Sequence, residues 1–308
     1  MDRSVISFRP DVRRWGYAGE FILRRCCGCG LVFNSPKLTA DQLKQLYGPD
    51  YYFFERSTGA ELARIQGAYL RTIAHLPSTE PRTLLDVGSA KGYMLAILVR
   101  LGWRVVGVEI ASSAARYSRR TFGLEVFTGT LEEFRREDDR QFDVVLAQDV
   151  LEHVPDPRGF RDALCNSIRP GGWLIIDTPN VGGRNVDVLG ERWRGFNPFH
   201  LYLFDRSTLG RTLTEAGLDI LSIASYNNVA PECSVAPNPD ALAFPFGKRA
   251  SGWARAGVWA RELWLKLDQA LLPYYLKRAE RAVLRGKPVP LSTNCEGDNL
   301  VCLAQRPG

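Results

Sequence analysis

The stretch LLDVGSAKGYM, Leu84 to Met94, constrains the fold more than any other part of the chain. A short run of apolar residues suited to a buried strand leads straight into a turn with glycines at 88 and 92. An apolar helical pattern begins directly after it. Glycine at such a junction lets the backbone approach a ligand closely, and the helix start offers N–H groups that nothing in the helix accepts. The dinucleotide fingerprint G-x-G-x-x-G is absent, because Ala90 stands where its second glycine would be. The phosphate-binding P-loop is absent too, since Lys91 precedes Gly92 instead of following it. Glu109 falls 21 residues after Gly88 at the end of the next strand pattern, where a carboxylate can accept both hydroxyls of a ribose.

From Thr83 onward, strand and helix patterns alternate. Strands are expected at 83–88, 103–109, 124–129, 142–148, 172–179 and 218–226. Helices are expected at 91–101, 111–121, 131–136, 157–168 and 206–216, the last entered from Asp205 and closed by Gly217. Apolar strands alternating with helices argue an α/β fold whose mostly parallel sheet is covered on both faces. A last strand pattern, NLVCLAQR, lies about 70 residues after the strand at 218–226. The two would pair as neighbours if residues 227–298 leave the core and return. Three parts follow: residues 1–80 with a cysteine-bearing hairpin (FILRRCCGCGLVF) and helices near 41–47 and 55–76; a core of 81–226 plus 299–308; and the insertion 227–298.

As an ordered set, LLDVGSAKGYML, VVGVEI, GTLEEF, FDVVLAQDVLEHVPDP and IRPGGWLIIDTPN resemble a class I S-adenosylmethionine-dependent methyltransferase. Within that superfamily they are similar to the ubiquinone-type and sugar-type small-molecule enzymes. The resemblance covers about half the chain and implies a Rossmann-like sheet whose last strand is antiparallel. It also implies roles for single positions. Asp86 and the turn Gly88, Ser89, Ala90, Gly92, with Tyr93 after it, would face the methionine part of S-adenosylmethionine. Glu109 would hold the ribose and Ile110 would pack on adenine. Thr130 and Leu131 would lie at the adenine edge, and Gln148 near the sulfonium.

The sulfonium methyl is already activated, so aligning a nucleophile and removing its proton is most of what such a protein has to do. With three histidines in the chain the search for a base is short. His153 in LEHVPDP and His200 in RWRGFNPFHLYLF are the candidates, each with a packing role as the alternative, while His75 reads as a helix-face residue. Trp193, Phe196, Phe199 and Tyr202 would give the acceptor an apolar, ring-lined pocket. YGPDYYFF, residues 47–54, resembles the lid of sugar-type relatives, from which Tyr51 or Tyr52 would reach the site; Tyr52 is the candidate.

Cys26 and Cys29 form a C-x-x-C that resembles the second half of a zinc ribbon in sugar-type relatives. Structural zinc needs four ligands, and residues 1–25 hold no Cys or His for the first half. The expectation is therefore a hairpin kept for its packing, without metal. The alternative is completion by Cys27 and a distant thiol such as Cys233, Cys295 or Cys302, of which Cys302 reads better as a core strand residue.

The net charge of +6 is unevenly placed. Residues 248–287 hold ten Lys/Arg and three Asp/Glu, a balance of +7, which leaves the rest near −1. That distribution argues against a nucleic-acid enzyme, which needs cations beside its active site. In the insertion, Trp253, Ala256, Ala260, Leu263, Leu267 and Leu271 recur at helical spacing, and Pro273 should break or kink the helix. An added helical pair that covers the core or makes a homodimer is the first reading of this segment. Peripheral membrane contact through 250–287 is the second. The N-terminus lacks an apolar signal-peptide core and no run spans a bilayer, so a cytoplasmic, membrane-associable enzyme is expected. Its acceptor would be a sugar-derived or lipid-linked intermediate. The alternatives are O-methylation of a quinone or polyketide phenol, or a catalytically silent cofactor-binding subunit tethered by its C-terminal helices.

Overall fold

The computed structural model describes residues 3–8, 20–39, 41–43, 58–76, 82–227, 267 and 269–308. The expected lid at 47–54 with Tyr52, Cys233, and Trp253, Ala256, Ala260 and Leu263 of the insertion lie outside the described residues.

Seven strands form the main sheet: β4 (Thr83–Val87), β5 (Arg104–Glu109), β6 (Val126–Thr128), β7 (Phe142–Gln148), β8 (Ile168–Pro179), β10 (Asp219–Tyr226) and β11 (Asn299–Gln305). Their spatial order is β10-β11-β8-β7-β4-β5-β6. Neighbours from β8 to β6 run parallel, whereas β11 is antiparallel to both β8 and β10. This is the Rossmann-like sheet with a reversed strand expected above, and the strand that returns after the insertion pairs with β10 as anticipated. Consecutive residues alternate between two cores, Leu85, Val145, Ala147 and Ile176 on one face and Leu84, Val144, Leu146 and Ile175 on the other. Both faces are dry, which is why these strands read as continuous apolar runs instead of alternating ones.

Helices α1 (Thr58–Arg71), α2 (Tyr93–Arg100) and α8 (Leu272–Arg285) pack into the second core. Helices α4 (Leu131–Glu137), α5 (Pro157–Ser167) and α7 (Arg206–Thr214) pack into the first. Local chemistry sets their starts. Thr130 with Glu133 and Asp205 with Thr208 form capping boxes, and Asp156 caps α5 just ahead of Pro157. Helix α3 (Ser112–Phe122) ends at Gly123 in the left-handed conformation. A further short helix, α6 (Arg184–Leu189), carries no strong sequence pattern. Pro273 marks the expected break: helical residues 267, 269 and 270 give way to a turn at Leu271, and α8 starts at Leu272 with Pro273 in its first turn, where its missing N–H costs nothing.

A second, antiparallel sheet joins β1 (Arg3–Phe8), β2 (Phe21–Arg25), β3 (Val32–Ser35) and β9 (Tyr202–Leu203). The cysteine hairpin is thus β2–β3, and it docks through β3 onto the chain just after His200.

Candidate active site

Chain order runs outward from β4 to β5 and β6, then crosses to β7 on the other side of β4. The gap at the carboxyl ends of β4 and β7 is a topological switch point, where open α/β sheets bind ligands. Asp86 and Gly88 end one side of it, and Gln148 and Asp149 the other.

The turn after β4 is held in an unusual conformation. Gly88 (φ 78°), Ala90 (φ 50°) and Gly92 (φ 75°) all lie in the left-handed region. A Cβ at Gly88 would come within 2.5 Å of Val150 Cγ2, and one at Gly92 would overlap Ser118 Oγ. Gly92 therefore serves the close seating of α2 on α3 and not only an approach to ligand. Two links fix the turn. Glu109 accepts from the amide of Ala90 (2.8 Å) and that of Ala111 (2.7 Å), and Lys91 Nζ lies 3.1 Å from Glu61 on α1.

Asp86 is buried, and among the described residues no cationic side chain lies within 4.0 Å of it. Burial, reinforced by the Glu109 carboxylate, pushes its carboxyl up to about 8. Ser89 Oγ, on the turn and facing Gly107 of β5, is buried without a partner. An acid short of a cation and an orphaned hydroxyl suit an amino-acid tail bearing an ammonium group, so the residues fit the methionine part of S-adenosylmethionine. Glu109 is itself buried, its carboxyl raised by burial and held down in part by the backbone amides of Ala111, Ala90 and Ile110. Ile110, next to it, exposes 45% of its surface, an apolar shelf at the strand end. Thr130 N–H is already taken by Glu133, which leaves the Leu131 amide at the start of α4, while Leu131's side chain is core. Tyr93 points elsewhere than the turn. Its ring packs with Tyr117 and Phe122, and its hydroxyl meets that of Tyr117 at 3.1 Å.

On the other side of the gap, His153 and His200 come together from 47 positions apart, their ring centroids 4.8 Å apart and edge-on. Each engages a backbone carbonyl through Nδ1: His153 that of Phe199 (3.0 Å), His200 that of Gly195 (2.7 Å). A carbonyl only accepts, so each Nδ1 carries the proton and each Nε2 presents a lone pair. Burial lowers both; His153 falls to about 4, and His200 is further depressed by its neighbour. Glu152 completes the group. Its Oε2 accepts from Thr178 (2.9 Å), and its buried Oε1, 3.8 Å from His153 Nε2, has no hydrogen-bond partner. Burial and the Asp149 charge hold its carboxyl well above the usual carboxylate range. Donor atoms of Glu152, His153 and His200 lie within 4.8 Å of one another, so this trio could hold a divalent metal.

The aromatic stretch lies around this group. Trp193, Phe196 and Phe199 are buried in the core that the β1–β3 hairpin shares with it, with Phe8 stacked on Phe196. Tyr202 is partly exposed, its hydroxyl donating to Pro155 O and accepting from Lys37. The hairpin clasps the His200 loop through Asn34, whose amide donates to the carbonyls of Asn197 (2.9 Å) and His200 (2.8 Å). Asn197 Oδ1 in turn accepts from the amides of Phe199 and His200.

Cys26, Cys27 and Cys29 sit on the hairpin turn, whereas Cys295 and Cys302 are buried in the main-sheet core. The described cysteines are therefore not arranged as a zinc ribbon, and completion by Cys295 or Cys302 is ruled out by their place in the fold. His75 accordingly meets Val289 O at 3.0 Å, at the end of α1's following turn.

Sequence reasoning missed a polar network at the same strand ends. Tyr226 donates to Asp177 Oδ2 (2.7 Å), and Asn299 donates to Asp177 Oδ1 (3.0 Å) and reaches Asp149 (3.4 Å). Arg71 of α1 stacks 4.3 Å over the Tyr226 ring. Burial and Asp149 raise Asp177 to about 7. Asp149 itself, at φ 52°, was legible only as a residue in the QDVLEH motif.

Residues 61–223 match the family model described as a methyltransferase domain. The chain is similar to the ubiquinone biosynthesis O-methyltransferase of Albidiferax ferrireducens, 33% identical over 125 residues, covering 39% of this chain and 50% of that protein. It is also similar to the enzyme of the same name from Hydrogenovibrio crunogenus, 29% identical over 125 residues, covering 39% of this chain and 52% of that one. The likeness thus spans about half the length of these curated relatives. Among solved structures, a SAM-dependent methyltransferase from Archaeoglobus fulgidus aligns with a TM-score of 0.46 at 17% identity, covering 80% of this chain and 92% of that one. Among the described residues, no helix is long and apolar enough to cross a membrane.

Proposed function

The chain belongs to the methyltransferase domain family, and from that premise we propose that it transfers a methyl group from S-adenosylmethionine to a hydroxyl of a small molecule. The observation that carries this reading is the buried Asp86 carboxyl, with no cationic side chain within 4.0 Å among the described residues, beside the left-handed turn at the switch point. When bound, the donor supplies an electrophilic methyl on a sulfonium. Asp86 would hold the ammonium of its amino-acid tail, Glu109 the ribose and Ile110 one face of the adenine. Gln148 would border the sulfonium.

On the acceptor side, a neutral His153 would accept the hydroxyl proton's hydrogen bond through Nε2 and orient the oxygen. A group lowered to about 4 keeps a proton poorly at neutral pH. Glu152, whose unpartnered Oε1 lies 3.8 Å from His153 Nε2, would stabilise the charge that a transferred proton leaves on His153. His200 would limit the rotation of His153 and exclude water from it. Of the acceptors expected from sequence, the name carried by the curated relatives favours a quinone-type phenol over a sugar-derived or lipid-linked hydroxyl.

Purified protein incubated with S-adenosylmethionine and polyprenylated catechols or nucleotide-linked sugars should release S-adenosylhomocysteine with the catechols. Donor binding without that product for any acceptor would point to a silent subunit and end the enzyme assignment. Product with the sugars alone would reverse the choice of acceptor.

A further inference from the structure

We propose that the outward face of α8 docks on an anionic lipid bilayer, with headgroup phosphates seated among its arginines. The inner face of α8 is settled: Leu272, Ala279 and Val283, with Tyr275 and Leu276, pack into the core shared with α1. Packing there is tight, since a Cβ on Gly59 of α1 would lie 3.1 Å from the Tyr275 ring. The opposite face is a single stripe. Leu267 and Leu271 just ahead of α8, and Tyr274, Arg278, Arg281 and Arg285 on it, follow one another at spacings of four, three, four, three and four. The bonds from Leu271 N–H to Leu267 O and from Tyr275 N–H to Leu271 O carry the helical spacing across the junction.

Lys277, Arg278, Arg281 and Arg285 are exposed on it, and among the described residues no carboxylate lies within 4.0 Å of any of them. Glu280, on the flank, is spent on Arg100 at 2.6 Å. The cations, with Tyr274 and Ala282, line a shallow groove of about 310 Å³, room for a phosphate headgroup. Toward the start of the stripe the surface turns apolar, with Leu267, Leu271 and Tyr274 exposing 55%, 46% and 61%.

A bilayer interface is the partner that accepts both halves at once, leucines and aromatic rings at the acyl boundary and cations at the headgroups. RNA would leave the leucines wet, and outside 248–287 the chain carries a net charge near −1 with which to repel it. A second copy of this face would bring the arginines no carboxylate, since Glu280 on its flank is already spent on Arg100. The inference does not depend on the methyl-transfer reading, because its test measures no catalysis.

Flotation of the full chain with vesicles of phosphatidylcholine alone, or with phosphatidylserine added, is the experiment. Binding is expected to the mixed vesicles only and to fall as salt rises. R278Q/R281Q/R285Q should lower the partition coefficient on the order of a hundredfold, from the typical contribution of each basic residue near an anionic surface. L271Q/Y274Q should weaken binding while leaving its salt dependence. Melting temperatures matching the parent chain would show that both variants fold. The proposal is overturned by equal binding to neutral vesicles, by unchanged flotation of both variants, or by failure of the parent chain to float. Tighter binding of a single-stranded RNA or of inositol hexakisphosphate than of the mixed vesicles would overturn it as well.

Discussion

Lys91 Nζ lies 3.1 Å from Glu61 Oε1, with only 10% and 17% of the two side chains exposed. This pair ties the turn that would hold the methyl donor to α1, the helix that carries Arg71 to the Tyr226–Asp177 network. Removing one partner leaves the other charge poorly solvated. E61Q should destabilise the fold by about 2 kcal/mol, less than a fully buried pair would lose. The double variant E61Q/K91M should lose less than the two single changes added together. Denaturant midpoints measure this, and hydrogen exchange in residues 58–71 should quicken in E61Q. Additive losses with unaltered exchange would mean that the pair does not couple α1 to the turn.

Gly92 offers a sharper test of the turn. Alanine there faces both a left-handed φ of 75° and overlap with Ser118 Oγ. G92A should cost about 3 kcal/mol from strain and overpacking combined. Ser118 Oγ is buried without a partner, so S118A alone should be neutral or slightly stabilising. In the pair G92A/S118A the overlap with the hydroxyl is gone and the backbone strain stays, so stability should recover only in part. Complete recovery, judged by thermal melting, would show that the φ contributes nothing.

The strand and helix order and the glycine turn were legible because buried parallel strands and capped helices leave local signatures, whereas the reversed last strand came only from the resemblance. What escaped is what distant chain segments bring together. Asn34 clasps the His200 loop from 166 positions away, and nothing near either residue announces it. Tyr226, Asp177 and Asn299 meet only because β11 returns between β8 and β10 after a long excursion. Trp193, Phe196 and Phe199 were recognisable as an aromatic cluster, but not as the core on which the hairpin rests. Tyr93 follows the turn in sequence, yet the helix rotates it toward Tyr117 and Phe122.

Asp86 gives the chain a pH dependence of definite sign. Its carboxyl rises from 3.8 to about 8 on folding, so the folded state holds a proton that the unfolded state has lost. Its contribution to stability is whole below pH 3.8 and is lost as pH climbs through about 8. D86N should remove that slope. An ammonium docking beside Asp86 favours the charged acid, so donor binding should release a proton and tighten as pH rises toward 8. Calorimetry in buffers of differing ionisation heat counts the proton. Proton-neutral binding by the parent chain, or release retained in D86N, would separate Asp86 from the donor.

The histidines can be distinguished by an asparagine substitution. Asparagine at 153 keeps a donor near the position of Nδ1 for the Phe199 carbonyl and removes the Nε2 lone pair. If that lone pair orients the acceptor hydroxyl, H153N should lower kcat roughly 10²–10⁴-fold, the usual span for a general acid–base group. Donor affinity should stay unchanged, because the turn at Gly88 is untouched. At 200 the same substitution keeps the bond to the Gly195 carbonyl, and a residue that only restrains its neighbour should cost much less. E152Q tests the support of His153: it keeps the shape beside the ring but takes away the group that would stabilise a proton on it, so kcat should fall while the acceptor's KM holds. Equal, small losses in all three variants would mean that the Glu152–His153–His200 group shapes the pocket and moves no proton.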